Sequence, residues 1–239
     1  MAKLGSTNHM KRLASPKAIP IMDKKESKFI SRGSPGPHSR SSSVPLGVFL
    51  RDVLMIAETA SEIKKTLSSR KVKVDDKIRT DFKFPVGLMD TISFVGDSRI
   101  FKVVVDSKGR LVPVSLEKSA PTKLLKVTNK NVIPGGKISL TFHDGKTTLS
   151  DNNVKVGDSV VYSIGDSKLK KVLTLKVGSR CLIREGKHAG TIVTLKEIIQ
   201  RQGGKPSEAL VASEDKKEGE FITVAKYLFV VDDEFTLAG

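Results

Sequence analysis

Apolar residues recur at helical spacing between residues 44 and 70, in two segments separated by a short break. Thr59 and Glu62, between the segments, match the capping box that begins a helix. The spacing predicts a pair of helices, each with one side that can be buried. The apolar positions that define this pattern are Leu46, Phe49, Leu50, Val53, Leu54, Ile63 and Leu67.

From residue 71 onward the pattern changes to short apolar stretches separated by turn residues such as Asp144-Gly145 and Gly157-Asp158. Asp75-Asp76 is expected to form a hairpin turn rather than a catalytic carboxylate pair. Short strands with this punctuation favour a small barrel or sandwich, which we place at residues 95–173. Strands are predicted at residues 71–74, 91–95, 101–105, 111–114, 124–127, 137–142, 159–164 and 172–176.

The last part of the chain, residues 174–239, contains a glycine loop between two apolar strands. The loop is Gly186-Lys187-His188-Ala189-Gly190. With the later strands it predicts a five-stranded barrel, and the whole chain is therefore predicted to be α+β and mostly β. The strands are predicted at residues 181–183, 191–195, 207–212, 221–224 and 227–231.

Residues 1–43 have few apolar residues, four prolines and a serine run at residues 39–43. A segment with so little to bury does not fold independently, so we expect an extended arm that becomes ordered on its partner. A flexible tail that only improves solubility is the alternative interpretation.

The charge of the chain indicates what kind of partner it binds. Its 42 Lys and Arg outnumber its 26 Asp and Glu, which gives a formal net charge of +16. Such an excess favours a polyanion, with nucleic acid first. No apolar run approaches the ~18 residues of a membrane-spanning helix, which disfavours a membrane as the partner.

The charge is unevenly spread along the chain. Residues 1–43 hold nine basic and two acidic side chains, whereas residues 213–239 hold three basic and seven acidic ones. We expect the amino end to face the polyanion and the acidic carboxyl end to face away or to meet a protein.

Cations cluster around the helix pair and in the glycine loop. A solvated helix face and a plain strand turn are the alternatives, but the helix cations continue into the following hairpin, as phosphate binding requires. The loop also offers backbone N–H groups beside a cation and an imidazole. The candidate RNA contacts here are Arg51, Lys64, Lys65, Arg70, Lys71, Lys73, Arg79, Lys187 and His188.

Catalytic and metal chemistry have little support. The histidines are scattered, without metal-ligand spacing, and Cys181 alternates with apolar neighbours as a small core residue would. One cysteine allows no internal disulfide, which fits a reducing compartment. We expect no catalytic residue, metal, cofactor or small-molecule substrate.

Several segments, in order, resemble one family of ribosomal proteins. The helix pair with its hairpin resembles the alpha-L RNA-binding motif, and residues 177–195 resemble the KOW motif. Together they are similar to the archaeal and eukaryotic type of small-subunit ribosomal protein number four. Short matches to this family occur at residues 9–17 (HMKRLASPK), 34–38 (SPGPH), 77–81 (KIRTD), 85–90 (PVGLMD) and 106–110 (DSKGR).

The resemblance implies four parts: a basic arm (1–43), an alpha-L unit (44–94), a β-rich central domain (95–173) and an SH3-like KOW barrel (174–239). It implies a cytoplasmic constituent of the small ribosomal subunit, archaeal rather than eukaryotic because the chain is short. This constituent is a monomer that binds ribosomal RNA beside neighbouring proteins and supports assembly and translation. In the arm the resemblance makes RNA contacts of Lys11, Arg12, Lys17, Arg32, His38 and Arg40.

Two other functions stay open at this point. Alpha-L units accompany RNA-modifying enzymes such as pseudouridine synthases, but these need a sizeable catalytic domain with an aspartate in a pocket. The second alternative is a KOW-type transcription elongation factor. That function would leave the alpha-L unit and the arm unexplained.

Overall fold

The structure is a computed structural model that describes residues 9–97, 99–116, 122–150, 154–165, 169–201, 203–214, 219–232 and 235. Strands make up 42% of it and helices 12%, so the prediction of a mostly β fold is confirmed. The chain forms two compact units. The first consists of Met1–Val103 with Arg110–Glu117, and the second of Val104–Gly109 with Lys118–Gly239.

The described part of the arm packs on the first unit. Its two short strands, β1 (Met10–Lys11) and β2 (Phe29–Ile30), pair antiparallel. A 3-10 turn, Arg12–Ala14, follows β1. Ile19 and Ile21 are buried, and the carbonyl of Ala18 accepts a hydrogen bond from the N–H of Leu111 at 2.9 Å. The described part of the arm therefore has two buried isoleucines and a backbone contact to Leu111, and its ordering on a partner stays a prediction.

The predicted helix pair is present, with a shorter first member. Helix α1 (Leu46–Val48) continues as a π-helical turn, Phe49–Val53, and ends before Met55, which has a positive φ of 51°. Helix α2 (Ala60–Ser68) turns Ile63 and Leu67 inward. Burial of each such side chain contributes roughly 1.5–3 kcal/mol. Strands β3 (Ser43–Pro45) and β6 (Pro85–Gly87) pair beside the helices.

A five-stranded sheet completes the first unit, in the order β5-β4-β7-β8-β9. The four-part division of the chain stays a prediction, and its boundary between residues 94 and 95 falls within this sheet. The strands are β4 (Val72–Val74), β5 (Lys77–Ile78), β7 (Thr91–Phe94), β8 (Ile100–Val105) and β9 (Leu111–Leu116).

The second unit begins with a central antiparallel sheet in the order β12-β11-β10-β13-β14. In β11, Ile138, Leu140 and Phe142 point into the core while the residues between them do not, as the two-residue period of a strand requires. The strands are β10 (Thr122–Val132), β11 (Ile138–Phe142), β12 (Thr147–Ser150), β13 (Ser159–Ser163) and β14 (Leu169–Leu173).

The carboxyl-terminal sheet has the five predicted strands, in the order β18-β17-β16-β15-β19. Its core contains Cys181, Ile183, Val193 and Leu195. The strands are β15 (Arg180–Ile183), β16 (Ile192–Ile199), β17 (Glu208–Ser213), β18 (Glu220–Val224) and β19 (Leu228–Val230), with a 3-10 turn, Ala225–Tyr227, before the last.

Candidate nucleic-acid interface

Helix α2 presents exposed cations because its other side is buried. Thr59 accepts a hydrogen bond from the N–H of Glu62, and the Glu62 carboxylate accepts one from the N–H of Thr59, each at 3.3 Å. This confirms the predicted capping box and fixes where the helix begins. Lys64 and Lys65 then lie exposed on the outer side, and the Lys64 ammonium lies 5.9 Å from the centre of the Phe82 ring.

The hairpin that follows carries further cations. Asp75 and Asp76 have positive φ angles, 49° and 60°, and join β4 to β5, which confirms the predicted turn. Arg70 and Lys71, between helix and hairpin, are exposed. We call Lys64, Lys65, Arg70, Lys71, Lys73 and Arg79 the helix–hairpin cations.

Lys73 and Arg79 are less free than the other helix–hairpin cations. The Lys73 ammonium lies 3.1 Å from the Asp76 carboxylate. The Arg79 guanidinium stacks on Phe84, 4.3 Å from the ring centre. Both remain half-exposed, so a polyanion can reach them.

Arg51 lies apart from this group. Its guanidinium makes a two-pronged pair with the Asp52 carboxylate, at 2.6 and 3.0 Å. These hydrogen bonds raise the pKa of Arg51. Arg51 and Asp52 also line a groove with Asp23 and Glu26, where acids balance its charge.

The arm candidates divide into exposed and interior residues. Lys11, Lys17 and Arg40 are exposed and Arg32 is half-buried. Arg12 is buried, and its guanidinium donates to the Glu26 carboxylate at 2.8 Å and to the Ser27 hydroxyl at 3.0 Å.

His38 is also interior. Its Nε2 lies 2.9 Å from the Asp90 carboxylate, and both side chains are only 3% exposed. The same Asp90 oxygen accepts a hydrogen bond from the N–H of Gly87 at 2.8 Å. A Cβ at Gly87 would collide with the imidazole. His38 therefore fixes the end of the arm to β6 and the turn after it.

The glycine loop of the second unit lies between β15 and β16. Lys187 is exposed at its tip, whereas the His188 ring stacks on Phe221, with 4.1 Å between ring centres. Gly190 has a positive φ of 83°, and a Cβ there would collide with the carbonyl of Asp106. The N–H of Gly190 donates to the carbonyl of Ile183 at 2.8 Å, which closes the loop.

The sequence interpretation missed Lys126. This lysine is buried in β10, and its ammonium donates to the carbonyls of Lys226 at 2.8 Å and of Leu228 at 2.6 Å. Burial, with the nearby charges of Arg184 and Lys226, lowers the pKa of Lys126 to about 8. A lysine among Leu124, Leu125 and Val127 was the available signal.

Cys181 has no role in this interface. It is fully buried in the core of the carboxyl-terminal sheet, as predicted. Burial raises the pKa of its thiol to about 12, so the reactive thiolate does not form near neutral pH.

The described side chains bring together no His, Cys, Asp or Glu cluster that could hold a metal ion. Within the described chain, no helix has the length and apolar character to cross a bilayer.

A β-rich fold with exposed cations on a helix, a hairpin and a loop defines the class of nucleic-acid-binding proteins, and comparisons with known proteins specify the class further. Two family models match the chain: "Ribosomal family S4e" over residues 98–169 and "RS4NT (NUC023) domain" over residues 4–41. The chain belongs to the S4e family of ribosomal proteins.

Curated relatives and a solved structure support this membership. The small ribosomal subunit protein eS4 of Methanocella arvoryzae is 40% identical over 94% of this chain and 94% of its own length. That of Methanocaldococcus jannaschii is 37% identical over 98% of each. The crystal structure of the 30S ribosomal protein S4e from Thermoplasma acidophilum has a TM-score of 0.68 and 33% identity, and the match covers 80% of this chain and 95% of that one.

Proposed function

We propose that this chain is a structural constituent of the small ribosomal subunit and binds ribosomal RNA through the exposed helix–hairpin cations. The names of its relatives support the subunit, and the outward placement of Lys64, Lys65, Arg70 and Lys71 supports the surface. The observation that carries the proposal is that a capped helix buries Ile63 and directs Lys64 and Lys65 away from its core, with exposed Arg70 and Lys71 directly after the helix.

Phosphates are the main ligands in this proposal. The major groove of A-form RNA is too deep and narrow for side chains to read, so recognition depends on phosphate spacing, 2′-hydroxyls and the shape of junctions. Lys and Arg at several points of the chain match this need, and the resulting affinity falls steeply with salt.

The arm contributes contacts of two kinds. Lys11, Lys17, Arg32 and Arg40 are accessible to RNA. Buried His38 instead ties the end of the arm to Asp90. Buried Arg12 pairs with Glu26 inside the arm and so fixes the arm's own conformation.

The second unit adds Lys187 at the tip of the glycine loop, where RNA can reach its charge. His188, stacked on Phe221, orients the loop, and Arg51 is a weaker contact because Asp52 neutralises it. The acidic carboxyl-terminal segment suits a neighbouring ribosomal protein. The chain acts as a monomer within the ribosome of the cytoplasm, and its arm, alpha-L unit, central domain and KOW barrel act as separate modules.

An enzymatic function has less support. An RNA-modifying enzyme needs a catalytic domain, whereas the described parts of residues 122–230 form two five-stranded sheets. A ribosomal protein family indicates a structural role, and an elongation factor would leave the helix–hairpin cations without a ligand.

The experiment is a filter-binding titration of small-subunit RNA at several salt concentrations. A variant with Lys64, Lys65, Arg70 and Lys71 replaced by alanine should bind more weakly, because fewer phosphates are neutralised. Its plot of log affinity against log salt should flatten by roughly 0.7 to 0.9 for each phosphate that the variant no longer neutralises. Folding should persist, because these side chains lie outside the core.

A matched control removes the same charge elsewhere. Lys137, Lys155, Lys170 and Lys176 are exposed lysines of the second unit that belong to no candidate site. Their replacement by alanine should change the slope less. Equal slopes for the wild type and the helix–hairpin variant would contradict the proposed surface.

A further inference from the structure

Three cations of the second unit meet at a cleft between the central and carboxyl-terminal sheets. Lys126 lies on β10, Arg184 follows β15, and Lys226 belongs to the turn before β19. All three line a cleft of about 420 Å³, which we call the Lys126 cleft. This volume lies in the range of small-ligand sites.

The base of the cleft is fixed by hydrogen bonds. The Lys126 ammonium donates to the carbonyls of Lys226 and Leu228, and the N–H of Arg184 donates to the carbonyl of Tyr227 at 2.9 Å. These contacts hold the Ala225–Tyr227 turn against both sheets. The fold thus sets the ammonium of Lys126 and the backbone positions of Arg184 and Lys226 before any ligand arrives.

Positive charge in the cleft is incompletely balanced. The Arg184 guanidinium pairs with the neighbouring Glu185 carboxylate at 2.8 Å, and Lys226 is exposed. The Nε of Arg184 is buried and has no hydrogen-bond acceptor in the described part of the chain. A phosphate reached by a small rotation of this guanidinium would supply the acceptor and oppose the crowded positive charges.

The walls of the cleft are mainly apolar, which separates it from an ordinary cationic surface. Val156 is 56% exposed, and Leu175 and Pro206 line the same space. A phosphate alone leaves such walls in contact with water. A ligand with one anionic group and one flat apolar group satisfies both features.

We propose that the Lys126 cleft binds one unstacked nucleotide of RNA, with its phosphate at Arg184 and Lys226 and its base against Val156, Leu175 and Pro206. The inference rests on the proposed RNA-binding function. A cleft volume of about 420 Å³ suits a single nucleotide rather than a duplex. Proteins that recognise RNA commonly bind bulged or looped-out bases, which are already unstacked. The nucleotide comes from a bulge or a single-stranded junction.

The test compares two short RNA duplexes that differ only by a single bulged adenosine, titrated against the full-length protein. The wild type should bind the bulged duplex about fivefold more tightly, which is the bottom of the range for a base stacked on an aromatic ring, because the cleft walls are aliphatic. Val156→Asn should reduce this preference without a change of charge.

The phosphate contact is tested with a double variant, Arg184→Ala with Lys226→Ala. This double variant should bind both duplexes with nearly equal affinity. Its thermal unfolding temperature should equal that of the wild-type protein. The matched control, Lys170→Ala with Lys176→Ala, removes two exposed charges of the same unit and should keep the preference. The helix–hairpin variant should bind both duplexes more weakly than the wild type does, and it should still prefer the bulged duplex.

Equal affinity of the wild type for the two duplexes overturns the inference alone and leaves the helix–hairpin surface standing. Failure to bind either duplex overturns the inference and the proposed function together. Unchanged RNA affinities in the Arg184 and Lys226 variant also overturn the inference.

Discussion

Buried Lys126 shows how one residue can join two sheets. The desolvation of an ammonium is unfavourable, but its hydrogen bonds to the carbonyls of Lys226 and Leu228 offset part of this cost. The remaining cost is visible in the pKa of Lys126, which burial lowers from 10.5 to about 8.

This pKa gives stability a defined dependence on pH. Between about pH 8 and 10.5 the unfolded chain binds more protons at Lys126 than the folded chain, so the free energy of unfolding rises with pH in this window. Relative to Lys126→Met, the wild type should gain up to about 3 kcal/mol across it. Urea unfolding of both proteins at several pH values measures the difference, and a constant difference would contradict a lowered pKa of Lys126 in the folded protein.

At the residue scale, the sequence predicted exposure better than pairing. Lys64 and Lys65 are exposed because they fall outside the apolar spacing of the helix, and Arg70 and Lys71 are exposed after its end. Arg12 and His38 were expected to contact RNA because of the family resemblance, but they are buried against Glu26 and Asp90, which are distant in sequence. Only the folded backbone brings such pairs together, so the pattern of nearby residues could not reveal them.

At the scale of elements, the glycine loop combines a required backbone conformation with a close approach. Gly190 has φ 83° and lies against the carbonyl of Asp106, in the turn after β8. Gly178, at the start of the same sheet, has a similar φ of 87° but open space around it. A substitution at Gly178 would therefore report the cost of the positive φ alone, whereas a substitution at Gly190 would add the cost of the collision.

Gly190→Ala should therefore destabilise the protein more than Gly178→Ala. Alanine at either position costs about 1 kcal/mol for the positive φ, and at Gly190 the collision with Asp106 adds strain of about 1–3 kcal/mol. Thermal unfolding curves of both variants provide the measurement. Equal destabilisation of the two variants would mean that the loop yields without cost at Asp106.

The sequence predicted well those structural elements that are determined by residues adjacent in the chain. The capping box of Thr59 and Glu62 and the turn at Asp75-Asp76 depend on adjacent residues, and both are present. Strand β12 was missed, because its core partner β11 carries the apolar residues. The predicted strand at residues 172–176 begins earlier, as β14 (Leu169–Leu173), because pairing with β13 determines its register.

For the whole molecule, the arm is the part whose state depends most on the partner. Ile19 and Ile21 are buried, whereas residues 22–29, which run from there to the first residue of β2, are exposed and contain Lys24, Lys25 and Lys28. This segment offers protease sites that RNA or neighbouring proteins would cover.

Trypsin should therefore cut the free protein first within residues 22–29, and much more slowly when the protein is in the small subunit. Electrophoresis and mass spectrometry of the fragments over time identify the site. Lys126, buried in β10, is an internal control that should resist in both states. Similar cleavage rates within residues 22–29 in both states would support the alternative of a solubilising tail.

The central claim is that this chain is a structural, RNA-bound constituent of the small ribosomal subunit. The most direct measurement is sedimentation of a cell extract through a density gradient, before and after a moderate salt wash. The protein should sediment with small subunits in both cases and leave them only as salt is raised further, because many phosphate contacts hold it. Slow sedimentation as a free protein at low salt would contradict the account.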